Sequence, residues 1–134
     1  VRSGLSRELD HSPADRAEHL RRVAHVAKIL NDQGMIVICS FISPYQNIRE
    51  QVGEIIGKDR FHTIHMDTEL EKCKENKPEL YKLAEEGKLK HMPGLDERYE
   101  KPENPALVLK PEEEKENTDK VLRYLNANKI FPVE

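Results

Sequence analysis

Met35-Ile36-Val37-Ile38-Cys39-Ser40-Phe41-Ile42 is a largely apolar, β-branched run that does not alternate between apolar and polar residues. A run of this kind is expected as a central parallel strand covered on both faces, the core of its sheet, because an edge strand would alternate. Pro44 follows at once, and Ile48, Val52, Ile55 and Ile56 recur at helical spacing up to Gly57. The order strand, tight turn, helix restricts the chain to the α/β class, since parallel strands need crossover connections.

The flanking sequence repeats this alternation. Ser12-Pro13-Ala14-Asp15 reads as a helix start, with serine as N-cap, proline at the first helical position and a carboxylate facing the open N–H groups. Leu20, Val23, Ala24, Ala27 and Leu30 then form one apolar stripe that Gly34 ends. A second strand is expected from Phe61 to Met66, followed by helices over Thr68–Asn76 and Pro78–Gly87. Pro93-Gly94, Pro102 and Pro105 mark a long irregular connection, a candidate functional segment. Ala106-Leu107-Val108-Leu109 reads as a third strand, and Glu112-Glu113-Glu114 opens a last helix with Val121, Leu122 and Leu125 on its packing face. The 134 residues are read as one domain with no internal repeat.

Composition removes several function classes. Lysine and arginine number 22 against 25 acidic residues, a net charge of -3, so no basic surplus marks a nucleic-acid or anionic-membrane binder. No run approaches a membrane span and no signal peptide opens the chain, which makes a cytoplasmic protein the expectation. Cys39 and Cys73 fit no metal spacing and read as reduced thiols. His62 and His65 diverge on a strand and His19 and His25 on a helix, so no metal is expected. Val1-Arg2 in place of an initiator methionine leads to the expectation that a segment precedes it. In parallel sheets ligands bind beyond the carboxyl ends of the strands, which directs attention to Phe41–Tyr45 and to the turn at Asp67.

Three stretches carry a family resemblance. They are Val1-Arg2-Ser3-Gly4-Leu5 leading into Ser12-Pro13-Ala14-Asp15-Arg16; Ser40-Phe41-Ile42-Ser43-Pro44-Tyr45; and Leu80-Tyr81-Lys82 through Gly87, Lys90, Gly94, Asp96 and Tyr99 to Pro102. In this order and spacing the chain resembles the adenylylsulfate (APS) kinase family, specifically its C-terminal portion without the phosphate-binding loop. The resemblance implies a P-loop-kinase-like parallel sheet flanked by helices, lacking the N-terminal βαβ part, with a lid-like segment at about 74–105. It also implies transfer of the γ-phosphoryl of ATP, with Mg²⁺, to the 3′-hydroxyl of adenylylsulfate. A homodimer or a fusion to ATP sulfurylase is the implied assembly.

By position, Arg2 and Arg16 resemble the family's arginines that hold the substrate's anionic end, where a planar guanidinium offers paired donors. Ser43 matches the serine of the Phe-Ile-Ser-Pro turn. That serine is a phosphorylated intermediate in some members, but here no base stands beside it in sequence, which favours substrate positioning. Ile42, Lys90, Met92 and Pro93 fall on the same implied substrate pocket, and Lys82 on the ATP side of the lid. His11 and Met92 stand where the family places the two phenylalanines of an adenine clamp. His19 replaces an asparagine, Pro93 a threonine and Ser6 another asparagine, and the lid is altered around Asn76-Lys77. The Gly-x-x-x-x-Gly-Lys-Ser/Thr loop does not occur in the sequence, so this chain alone is expected to be inactive. Two functional readings stand: an adenylylsulfate kinase, or a kinase-derived domain that binds a nucleotide for regulation or assembly.

Overall fold

The computed structural model describes residues 1–111 and 113–130. Helix α1 spans Pro13–Asp32, starting where Ser12 accepts the Asp15 N–H at 3.4 Å. It stops where Gly34 takes φ 83°, a conformation glycine adopts without a side-chain clash. The stripe expected from sequence is the buried one: Leu20, Val23, Ala24 and Ala27, with His19 beside them. Helix α2, Gln46–Ile56, packs against α1. Its buried Gly53 lets the Phe61 ring approach, since a Cβ there would stand 3.0 Å from Phe61 Cδ1.

Strand β1, Ile64–Met66, pairs in parallel with β2, Leu107–Leu109, in the register Ile64 to Leu107 and Met66 to Leu109. The bonds Ala106 N–H to Thr63 O and Asp67 N–H to Leu109 O, both 2.8 Å, extend the ladder at either end. Helices α3, Leu70–Asn76, and α4, Pro78–Glu85, lie in the connection, with Tyr81 buried. Helix α5 runs Glu114–Ala127 after β2 and is anchored by buried Asn117, whose Nδ2 donates to Lys110 O, and by Tyr124, whose hydroxyl is 2.7 Å from His62 Nδ1. Glu112, the first of the acidic residues expected to open this helix, lies outside the described residues.

The parallel α/β class is as expected, but the strand expected at its centre is different. Residues 35–42 belong to no helix or strand, no described residue forms a ladder with them, and Ile38 is 88% exposed. An apolar run dictates an extended conformation locally; whether it becomes a strand depends on a neighbouring backbone to take its N–H and C=O groups. The sheet is instead the β1–β2 pair, and the strand expected from Phe61 shortens to Ile64–Met66. No helix of the described residues is long and apolar enough to cross a membrane.

Candidate functional site

The apolar run 35–42 ends in a strained turn. Ser43 has φ 43° and His91 has φ 60°, left-handed conformations that non-glycine residues hold only when their surroundings over-determine them. Both belong to one network. Tyr45 donates its hydroxyl to Glu97 Oε2 at 2.6 Å, and Glu97 Oε1 lies 2.8 Å from His91 Nδ1. Gln46 N–H, at the start of α2, donates to Glu100 Oε2 at 2.8 Å, and Glu100 N–H donates to Pro44 O at 2.8 Å. Residues 91–100 therefore form a strap seated across the Ser43 turn. Within it Asp96 accepts the His91 and Met92 N–H groups at 2.8 and 2.5 Å, and Gly94 turns at φ 89° against Leu70.

The start of α1 closes the other side. Arg16 donates from Nη2 to His91 O at 2.7 Å, bridging helix and strap. Arg2 donates from Nη1 to Asp10 O at 3.1 Å, and its Nη2 is 3.4 Å from His11 Nδ1. Burial, then the charges of Arg2 and Arg16, hold the His11 imidazole below its ordinary 6.5, so it presents a neutral ring at neutral pH. The charge of Arg16 also reaches the Tyr45 hydroxyl, whose pKa the bond to Glu97 raises.

Arg2 thus lies beside His11, Arg16 bonds the strap at His91, which Met92 and Pro93 follow in the chain, and Tyr45, two positions after Ser43, bonds the strap at Glu97. Ser43 does not cap α2: Tyr45 is the N-cap position, and the Glu100 carboxylate takes the helix's first N–H. His19 is buried, with its ring edge-on to Phe41 at 5.5 Å, and burial pushes its pKa down. It supports the end of the apolar run from below. Ile42 is 53% exposed. Lys90 and Lys82, the latter on α4, are exposed. At the Asp67 turn Lys101 donates to Asp67 at 2.7 Å and holds its carboxyl down, while His65 stacks on Tyr99 at 6.2 Å. Arg49, Glu97 and Glu100 were not among the residues singled out from sequence. The one sequence signal of Glu97 and Glu100 is the acidic, tyrosine-containing character of the segment after Gly94, and Arg49 carries none.

The network predicts acid sensitivity. Bonds from Tyr45 and then His91 lower the Glu97 pKa, and bonds from the Met92 and His91 N–H groups lower that of Asp96. A carboxyl whose folded pKa is depressed stabilises above its unfolded value and loses that contribution as pH falls through the folded one. The depressed imidazoles of His11 and His19 act in the same direction, because the unfolded chain takes up their protons first. Melting temperature measured against pH should therefore begin to fall below about 6.5 and fall more steeply through the carboxylate range near pH 4.

Among the described residues no group of three or more His, Cys, Asp and Glu is placed to hold a metal ion. The helix start that follows the apolar run, where an anion would sit in a strand-turn-helix unit, already holds the Glu100 carboxylate.

The fold is a parallel α/β one, and the start of α1 sets two arginines and a histidine beside the strap that crosses the Ser43 turn. The family model for adenylylsulphate kinase matches residues 1–110, and the chain belongs to that family. It is 36% identical to an adenylyl-sulfate kinase of Staphylococcus carnosus over 134 residues, 98% of this chain and 67% of that protein. It is 43% identical to one of Bacillus licheniformis over 110 residues, 81% of this chain and 56% of the relative. The bifunctional enzyme NodQ of Rhizobium tropici is 47% identical over 111 residues, 82% of this chain and only 18% of NodQ. The Mycobacterium tuberculosis APS kinase CysC, solved with AMPPNP and APS, superposes with a TM-score of 0.86 at 37% identity, over 93% of this chain and 75% of that one. The chain thus spans between about a fifth and three quarters of the length of these proteins.

Proposed function

We propose that this chain forms the acceptor side of an adenylylsulfate kinase, holding adenylylsulfate so that its 3′-hydroxyl receives the γ-phosphoryl of ATP and 3′-phosphoadenylylsulfate results. The observation that supports the reading is the hydrogen bond from Arg16 to His91 O, which ties the start of α1 to the strap at the residue next to Met92. Arg2 and Arg16 supply paired donors for phosphate and sulfate oxygens, while His11 and Met92 flank the adenine by stacking and by thioether packing. Ser43 orients the substrate from its strained turn. ATP with Mg²⁺ is the phosphoryl donor in this reading, and Lys82 and Lys90 on the lid-like segment are its candidate cations. The relative solved with AMPPNP and APS supports both nucleotides. The bifunctional relatives support a fused partner activity.

Isothermal titration of the chain with adenylylsulfate, against adenosine monophosphate as control, tests the proposal. Saturable binding that prefers the sulfated nucleotide by about tenfold or more is expected, since one added charged hydrogen bond accounts for that much. Equal affinity for both nucleotides, or none for either, would overturn it. The kinase names of the relatives favour this reading over a nucleotide-binding domain without chemistry.

A further inference from the structure

Arg49 stands outside every role assigned so far. It is 6% exposed, on the first turn of α2, and it donates four hydrogen bonds: Nη1 to Ser43 O at 2.5 Å, Nη2 to Glu100 O at 2.7 Å, and Nε and Nη2 to Gln46 Oε1 at 3.2 and 2.8 Å. Every one of these acceptors is uncharged. A buried guanidinium that rests on carbonyls, with no carboxylate paired to it among the described residues, gains little Coulomb energy to offset its desolvation. What the arrangement supplies is geometry. Two of its acceptors are the main-chain carbonyls of the strained turn and of the strap's far end, which lie 57 positions apart in sequence (from 43 to 100). A rigid fork can hold both at once, whereas the compact ammonium of lysine cannot span them.

We infer that Arg49 is a positioning residue that locks the Ser43 turn and the 91–100 strap into one unit, so that Ser43 on the turn and Met92 on the strap are presented to the acceptor nucleotide in fixed register. The Tyr45–Glu97 bond is the second fastening of the same unit, and Glu100 N–H to Pro44 O is the main-chain bond that reports whether it is seated. The inference deepens the adenylylsulfate reading and depends on it for the identity of the ligand, but not for the mechanical coupling of turn and strap.

The test uses the full chain and Arg49→Lys, Met92→Ala and the double variant. Two readouts are taken: exchange of the Glu100 amide by nuclear magnetic resonance, and adenylylsulfate affinity by calorimetry. Arg49→Lys is expected to raise Glu100 exchange about tenfold or more while the amides of Val23 and Ala24 in α1 keep their protection, a local opening rather than global unfolding. It should weaken adenylylsulfate about tenfold, the scale of a lost charged hydrogen bond. The double variant should bind no more weakly than Arg49→Lys alone, because residues that act through one another are non-additive. A purely structural role would leave the two affinity losses multiplicative, and that result overturns the inference, as does an unchanged Glu100 exchange rate. Should Arg49→Lys not fold, Tyr45→Phe removes a single hydroxyl from the same unit, and unchanged Glu100 exchange in that variant is equally decisive. A wild-type chain that binds no adenylylsulfate refutes the substrate reading alone, and the exchange measurement then decides the coupling.

Discussion

Arg16→Ala is expected to weaken adenylylsulfate binding by roughly ten- to a hundredfold, the range of a lost charge-assisted hydrogen bond at a part-buried site. The substitution removes a cation from beside His11 and Tyr45 and releases His91 O, to which Arg16 donates at 2.7 Å. Both changes act on the proposed adenine side of the site, through the strap that carries Met92 and Pro93. Arg16→Lys should recover the charge but little of the affinity, because a point charge cannot hold the strap carbonyl and a ligand oxygen in one plane. Calorimetric titration of the three proteins checks this; equal affinities would remove Arg16 from the site.

The largest stability effect is expected from Leu20→Ala, about 3 kcal/mol by chemical denaturation, within the range for truncating a buried leucine. Leu20 is 6% exposed on the face of α1 that also buries Val23, Ala24 and Ala27. Among the described residues the buried apolar side chains are few, with Pro44, Tyr81 and Leu109 beside those of α1, so little neighbouring bulk can collapse into the vacated space. Ile29 on the same helix is 64% exposed, and Ile29→Ala serves as the control, with an expected loss well under about 1 kcal/mol. A Leu20→Ala loss no larger than that of Ile29→Ala would show that α1 does not depend on its buried stripe.

The helices were legible because their signals are local. Ser12-Pro13-Ala14-Asp15 carries its own cap and Gly34 its own stop, and the stripe of α1 needs only its period to announce which face is buried. The proposed acceptor-site residues Arg2, His11 and Arg16 were legible through the family resemblance; the structure sets Arg2 beside His11 and bonds Arg16 to the strap at His91. Arg49 and Glu100 were not legible, because nothing in a lone arginine on a helix or a glutamate in a loop says that they will meet across 51 positions.

The α/β class and the ends of α1 could be read from the residues alone, since both follow from interactions within a few positions along the chain. It took the tertiary structure to decide that residues 35–42 join no ladder among the described residues, that β1 and β2 pair, and that a buried guanidinium fastens the strap to the Ser43 turn. Those outcomes depend on which distant backbone groups come within hydrogen-bonding reach, and the partners of a carbonyl or an N–H are not written in the residue that bears it.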